Sequence, residues 1–285
     1  MTKAQWSMTR LRRFHLAFGV LAFGFCPIMA WSTLHWFSNI LGKQTIAEVL
    51  LPETGKPPFA TFYLLHGLGD DSSMWLRRSR IEWFVRDLPI IVVMPDGYRS
   101  FYTKHAAGPD YARHIGVELP EFIERNFQAR PERSARAIGG LSMGGYGALR
   151  IGLGYADRFC SVNSHSGAVC WQDFSTPSLV ARGPAFIAEL RHIFGDDPRG
   201  SDHDLLVQAR RAVANGNLPE LLIDCGRDDF LIEDNRTFHS DLTAARVPHR
   251  YQEYAGGHTW DYWETHIQDS LAFHARNLQL PNTDA

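Results

Sequence analysis

Ala137-Ile138-Gly139-Gly140-Leu141-Ser142-Met143-Gly144-Gly145-Tyr146-Gly147-Ala148 is the stretch whose reading decides the fold. Within it, Gly140-Leu141-Ser142-Met143-Gly144 is a G-x-S-x-G run, approached by apolar residues 135–141 and followed by a helix-forming run over 146–152. Such a run has chemical meaning only between a strand and a helix, where the chain turns sharply and holds the serine hydroxyl above the sheet in strained backbone. Gly140 and Gly144 lack a Cβ and so can lie against the turning chain. A helix starting after Ser142 aims free N–H groups and its positive dipole end at an anion forming there.

Outward from this turn, apolar runs that read as strands alternate with amphipathic runs that read as helices. Upstream, residues 45–52 and 60–65 read as strands, 72–85 as a helix, 89–94 as a strand buried on both faces and 110–127 as a helix. Downstream, strands are expected at 159–163, 218–225 and 247–254, and helices at 204–214, 233–245 and 261–277. Residues 167–203 carry no sheet signal and read as a small cap insertion. The alternation predicts an α/β fold, with a mostly parallel central sheet and helices on both faces.

Residues 1–30 stand apart. Arg10, Arg12 and Arg13 precede an apolar run over 14–25, with Pro27 and Ala30 beyond it. That is the pattern of a signal peptide ending near Ala30, which would send the protein to the periplasm or outside the cell. The alternative is read-through upstream of a start at Met29, which would leave it in the cytoplasm. Either way the folded domain is expected over 31–285. The apolar run is too short for a stable membrane span.

A formal net charge of -2 with scattered basic residues excludes a nucleic-acid surface. The four cysteines form no C-x-x-C pair, and the histidines have no metal-ligand spacing, so no metal site is expected. Cys160 and Cys170 read either as a bridge or as free thiols.

Three residues carry the chemistry in the order Ser142, then Asp228 or Asp229, then His258, each just past the C-terminal end of an expected strand. That edge of a parallel sheet is where sites form, and Ser…Asp…His is the α/β-hydrolase order. A serine hydroxyl needs a base, histidine can take and return its proton near neutrality, and a carboxylate fixes the imidazole tautomer. The loop at His66-Gly67-Leu68-Gly69 follows a strand in the position that supplies one oxyanion N–H. The residue after the nucleophile supplies the other, so Leu68 and Met143 are the expected backbone donors. Trp75, Trp171, Trp260 and Trp263 read as cleft walls or as core.

Leu64-Leu65-His66-Gly67, Ser100-Phe101-Tyr102-Thr103, the elbow itself, Cys225-Gly226-Arg227-Asp228-Asp229-Phe230-Leu231 and Gly257-His258 together resemble the esterase D family of α/β-hydrolases. That family includes S-formylglutathione hydrolases, tributyrin esterases, feruloyl and acetylxylan esterases. The resemblance runs from about Trp31 to the final helix. It implies a serine carboxylesterase acting on small-molecule or carbohydrate-linked esters of short acyl groups without a cofactor. In the family the orienting aspartate is third after the glycine with a leucine shortly beyond, which implies Asp229, with Leu231 following. A thioester hydrolase is the neighbouring expectation, and a silent hydrolase-fold binding protein the remote one. Relatives that begin near the equivalent of Met29 favour the read-through reading.

Overall fold

The computed structural model describes residues 30–281. Its strands are β1 (Ala30–Ser38), β2 (Lys43–Leu51), β3 (Ala60–Leu65), β4 (Ile90–Pro95), β5 (Arg136–Leu141), β6 (Ser161–His165), β7 (Glu220–Gly226) and β8 (Arg250–Tyr254). They form one sheet in the order β1-β2-β4-β3-β5-β6-β7-β8. From β4 to β8 all neighbours are parallel, while β2 runs antiparallel to both β1 and β4.

The helices are α1 (Met74–Arg78), α2 (Ile81–Val85), α3 (Tyr111–Arg113), α4 (Leu119–Asn126), α5 (Met143–Gly154), α6 (Pro177–Val180), α7 (Pro184–Phe194), α8 (Leu205–Ala214), α9 (Ile232–Ala244) and α10 (Trp260–Asn277). A wide π turn, His114–Glu118, joins α3 to α4. Side chains alternate across a strand, and β3 shows the consequence. Tyr63 and Leu65 pack into a core with Leu119 and Ile123 of α4, Leu149 of α5 and Ala209 of α8. Phe62 and Leu64 face the other way, against Trp75, Ile81, Ile267 and Leu271 of α1, α2 and α10. Every residue of β3, β4 and β5 is buried, and β4 reads as an unbroken apolar run for that reason.

The structure departs from the sequence expectation in several places: besides the π turn inside the helix expected over 110–127 and a last strand that starts at Arg250 rather than 247, three stand out. β1 was not anticipated: it is an edge strand with mixed exposure, and its residues show no apolar run. It is pinned to β2 by Glu48, whose carboxylate accepts from the Trp31 indole at 2.6 Å and the Thr33 hydroxyl at 2.7 Å. The helix expected over 72–85 is broken at Ser79 and Arg80 into α1 and α2. The strand expected at 159–163 lies two residues later, as β6, because its polar residues are buried with their partners supplied by α10. Ser161 and Asn163 hydrogen-bond His274, and His165 faces Ser270.

Residues 167–203 form no strand and contain α6 and α7. They are held to the body by the Arg99 fork, which donates to both Glu189 oxygens at 2.7 and 2.8 Å, and by the Trp171 indole, which donates to Ser178 at 2.9 Å, with Ser178 in turn donating to Asp234. Phe101 packs against Trp171 and Phe194 beneath them. The expected N-terminal segment falls, except for Ala30, outside the described residues. Cys160, Cys170 and Cys225 are free thiols, so Cys160 and Cys170 are not bridged. Burial raises the pKa of all three.

Candidate active site

Ser142 sits between the last residue of β5 and the first of α5, with φ 54 and ψ -116. A β-carbon there is strained, and the surrounding backbone has to hold it. It does so from three sides. The Ser142 N–H donates to the His165 carbonyl of β6 at 2.9 Å. The Ser142 carbonyl accepts from the N–H groups of Gly145, Tyr146 and Ala168 at 3.0, 3.1 and 3.2 Å. A Cβ at Gly140 would fall 2.6 Å from the Gly144 carbonyl oxygen, and one at Gly144 would fall 2.6 Å from the His66 and Leu65 oxygens. Both glycines are therefore set by contact with backbone that cannot move aside.

His258 lies in the loop between β8 and α10. Its Nε2 is 3.0 Å from Ser142 Oγ, and its Nδ1 is 2.9 and 3.1 Å from the two carboxylate oxygens of Asp229. Asp229 follows β7, and its side chain is fully buried, while the His258 side chain is 20% exposed. The carboxylate also accepts from the Leu231 N–H at 2.8 Å, which fixes its plane. Beside an acceptor-only carboxylate, Nδ1 carries the proton, and the Nε2 lone pair then faces the serine hydroxyl. Asp228 is exposed, its N–H donates to the Gly256 carbonyl, and among the described residues its carboxylate makes no hydrogen bond to the imidazole.

The loop after β3 is folded against the serine. A Cβ at Gly67 would come within 3.7 Å of Ser142 Cβ. His66 anchors this loop: its Nδ1–H donates to the Gly67 carbonyl at 2.8 Å, and its Nε2 accepts from the Gly97 N–H at 2.9 Å. The Asp70 carboxylate accepts from the Gly67 N–H at 3.3 Å. Burial raises the Asp70 pKa, while His66 and the Gly67 N–H pull it back. The Leu68 and Met143 N–H groups donate to no backbone carbonyl among the described residues. For Met143 this follows from its place as the first residue of α5.

Two aromatic rings bracket the imidazole. Phe230 is 48% exposed, with its ring centroid 4.6 Å from that of His258. Trp263 meets His258 edge-on and donates to Ser166 Oγ at 3.3 Å. Phe230 had no signal in the sequence beyond being the aromatic after Asp229. Trp171 is buried in the insertion, and Trp260 is half-buried in an edge-to-face group with Trp75 and Trp263. A second Ser-His-Asp group, Ser270, His165 and Asp224, is buried between β6, β7 and α10 and ties those elements together. No group of three or more His, Cys, Asp or Glu is arranged to hold a metal among the described residues. Among them, no helix is long and apolar enough to cross a membrane.

A strained serine at a strand–helix turn, with a histidine and a buried carboxylate behind it on this sheet, defines a serine hydrolase of the α/β-hydrolase type. The "Putative esterase" family matches residues 38–274, and the chain belongs to it as a carboxylic-ester hydrolase. An acetyl esterase of Caldicellulosiruptor saccharolyticus is 31% identical over 258 residues, covering 85% of this chain and 97% of that one. Among solved structures, the substrate-bound fluorophosphonate-binding serine hydrolase F of Staphylococcus aureus superposes with TM-score 0.76 at 28% identity, covering 87% of this chain and 99% of that one. S-formylglutathione hydrolase FrmB of the same organism, as apoenzyme, gives 0.74 at 28% identity, covering 86% and 98%.

Proposed function

We propose that the chain hydrolyses small-molecule esters of short acyl groups through an acyl-enzyme on Ser142. The observation that carries the reading is the line of contacts from Ser142 Oγ through His258 to buried Asp229, at 3.0 and 2.9 Å. Ser142 Oγ attacks the ester carbonyl carbon as its proton passes to His258 Nε2. Asp229 holds the imidazole in register and stabilises the imidazolium. The carbonyl oxygen, now an anion, is received by the Leu68 and Met143 N–H groups. His258 returns the proton to the departing alcohol, then takes one from water, which attacks the acyl-serine; as the C–Oγ bond breaks and the acid leaves, His258 gives that proton back to Ser142 Oγ. The likeness to an acetyl esterase supports a short acyl group.

The same steps cleave a thioester, and the likeness to an S-formylglutathione hydrolase makes that the second reading. Turnover of p-nitrophenyl esters of increasing acyl length, set against S-formylglutathione, tests both. Activity should be highest on acetyl or propionyl esters and lost in Ser142→Ala. A preference for long acyl chains would overturn the short-acyl reading, and a strong preference for S-formylglutathione would move the assignment to the thioester.

A further inference from the structure

The two rings that touch the His258 imidazole are not alike. Trp263 is 5% exposed, joins the core under α1, α2 and α10, and donates its N–H to Ser166. Phe230 is 48% exposed and packs into neither core of the described residues. The ring it meets is that of His258, with 4.6 Å between centroids and 55° between planes.

The local chain explains how a phenyl group comes to stand out here. Phe230 lies between Asp229, which orients the base, and Leu231, which joins the core, and both of these are buried. The Asp229 carboxylate accepts from the Leu231 N–H at 2.8 Å, and its carbonyl accepts from the Ile232 N–H at 3.0 Å. This turn closes over Asp229 and leaves Phe230 on its outer side. A single exposed apolar side chain is ordinary on a protein surface. Phe230 differs from exposed Trp31, Phe37, Trp83 and Tyr98 in that its ring lies against the catalytic base. Exposed aromatic surface at a reaction centre is what a substrate group can cover.

The chemistry says which part of the substrate that is. His258 gives its proton to the departing alcohol oxygen, so that oxygen has to come within hydrogen-bond reach of Nε2. The acyl chain hangs instead from the carbonyl carbon, which is held between Ser142 Oγ and the oxyanion donors. A ring beside the imidazole therefore borders the alcohol side of the ester. We propose that Phe230 is a specificity-determining residue for the alcohol, and that it receives an apolar ring carried close to the ester oxygen. This rests on the ester reading of Ser142 and His258, and it gives the enzyme a preference in the half of the substrate that the short-acyl reading leaves open.

Methyl acetate and benzyl acetate test this with the full chain, because they share an acyl group and their alcohols have nearly the same acidity. The wild type should favour benzyl acetate in kcat/KM. Phe230→Ala should lower kcat/KM on benzyl acetate by about tenfold, the worth of covering one ring face, mostly through KM, and change methyl acetate by about twofold or less. Phe230→Tyr keeps the ring and should restore the preference. An unchanged benzyl-to-methyl ratio in Phe230→Ala overturns the proposal. So does an equal fall on both esters carried by kcat, which would make Phe230 a shield for the Asp229–His258 contact. If Phe230→Ala does not fold, Phe230→Leu gives the second test: it keeps apolar bulk, loses the ring and should also lower the ratio, and an unchanged ratio overturns the proposal in the same way. The ester reading fails by a separate result, a wild type that cleaves neither acetate or a Ser142→Ala variant that keeps the activity, and either would take this proposal with it.

Discussion

The Trp263 indole stands edge-on to the His258 imidazole, with ring centroids 4.9 Å apart and planes at 87°, while its N–H reaches back to Ser166. Ser166 follows His165, whose carbonyl holds the Ser142 N–H, so one indole connects the base to the strand that supports the nucleophile. Trp263→Phe keeps an aromatic edge against the imidazole and gives up the hydrogen bond. We expect kcat on p-nitrophenyl acetate to fall about two- to tenfold, the worth of one neutral hydrogen bond, with KM little changed. An unchanged kcat would reduce Trp263 to packing.

The two adjacent aspartates should separate by kinetics. Asp229→Asn keeps the shape but cannot hold the Nδ1–H tautomer. In a serine protease the corresponding change costs about 10⁴-fold in kcat, and a loss approaching that is expected here. Asp228→Asn touches an exposed side chain and should cost about tenfold or less, since it has no tautomer to fix. Measuring both on one activated ester at neutral pH checks the assignment, which fails if Asp228→Asn is the crippled variant.

Stability should fall as the pH drops from 6.5. Burial, with His165 close by, lowers the His274 pKa from 6.5 to about 3. Its Nε2–H donates to Asn163 Oδ1 at 2.8 Å, and its Nδ1 accepts from Ser161 at 2.7 Å, so the folded state keeps it neutral. The unfolded chain protonates this histidine below pH 6.5. Its contribution is therefore full above 6.5 and is lost progressively as the pH falls toward 3. Each such histidine adds a slope of up to about 1.4 kcal/mol per pH unit. Urea unfolding at pH 7, 6 and 5 should show a decline of at least that order, and a flat profile would contradict it.

A chain beginning at Met29 should fold and turn over p-nitrophenyl acetate like the full-length chain, because β1 starts at Ala30 and is paired along its whole length with β2. Beginning instead at Asn39 removes β1, strips the Glu48 carboxylate of both partners and exposes the edge of β2. That chain should aggregate or lose activity. Expression yield and specific activity of the two shortened chains check this directly.

The parts legible in the sequence are those where local pattern and burial agree. The apolar run of β4, the elbow glycines and the candidates Ser142 and His258 read off directly, because each is encoded by side-chain type at fixed spacing, whereas the choice of Asp229 over Asp228 came from the family resemblance. β1 was not legible because an edge strand with mixed exposure has no apolar signature. β6 was misplaced because its serines, asparagine and histidine are buried polar groups whose partners lie more than a hundred residues away in α10. Phe230 was missed for a related reason. An aromatic beside a base is a fact about neighbours, and only the folded chain has neighbours.

The insertion over 167–203 contributes no strand, and side chains do most of its fastening. Beyond the Arg99–Glu189 fork, the Trp171–Ser178–Asp234 relay and the Phe101 contacts, two inter-segment backbone bonds join it to the body: Ala106 N–H to the Ile193 carbonyl at 2.9 Å, at the loop before α3, and Ala168 N–H to the Ser142 carbonyl at 3.2 Å, at the nucleophile. Past Ala168, a part joined this way can be altered by changes to a handful of side chains without disturbing the ladder that carries the nucleophile. The fold thereby divides its labour: the sheet ladder places the nucleophile, and the insertion rests on it through side chains that substitution can change.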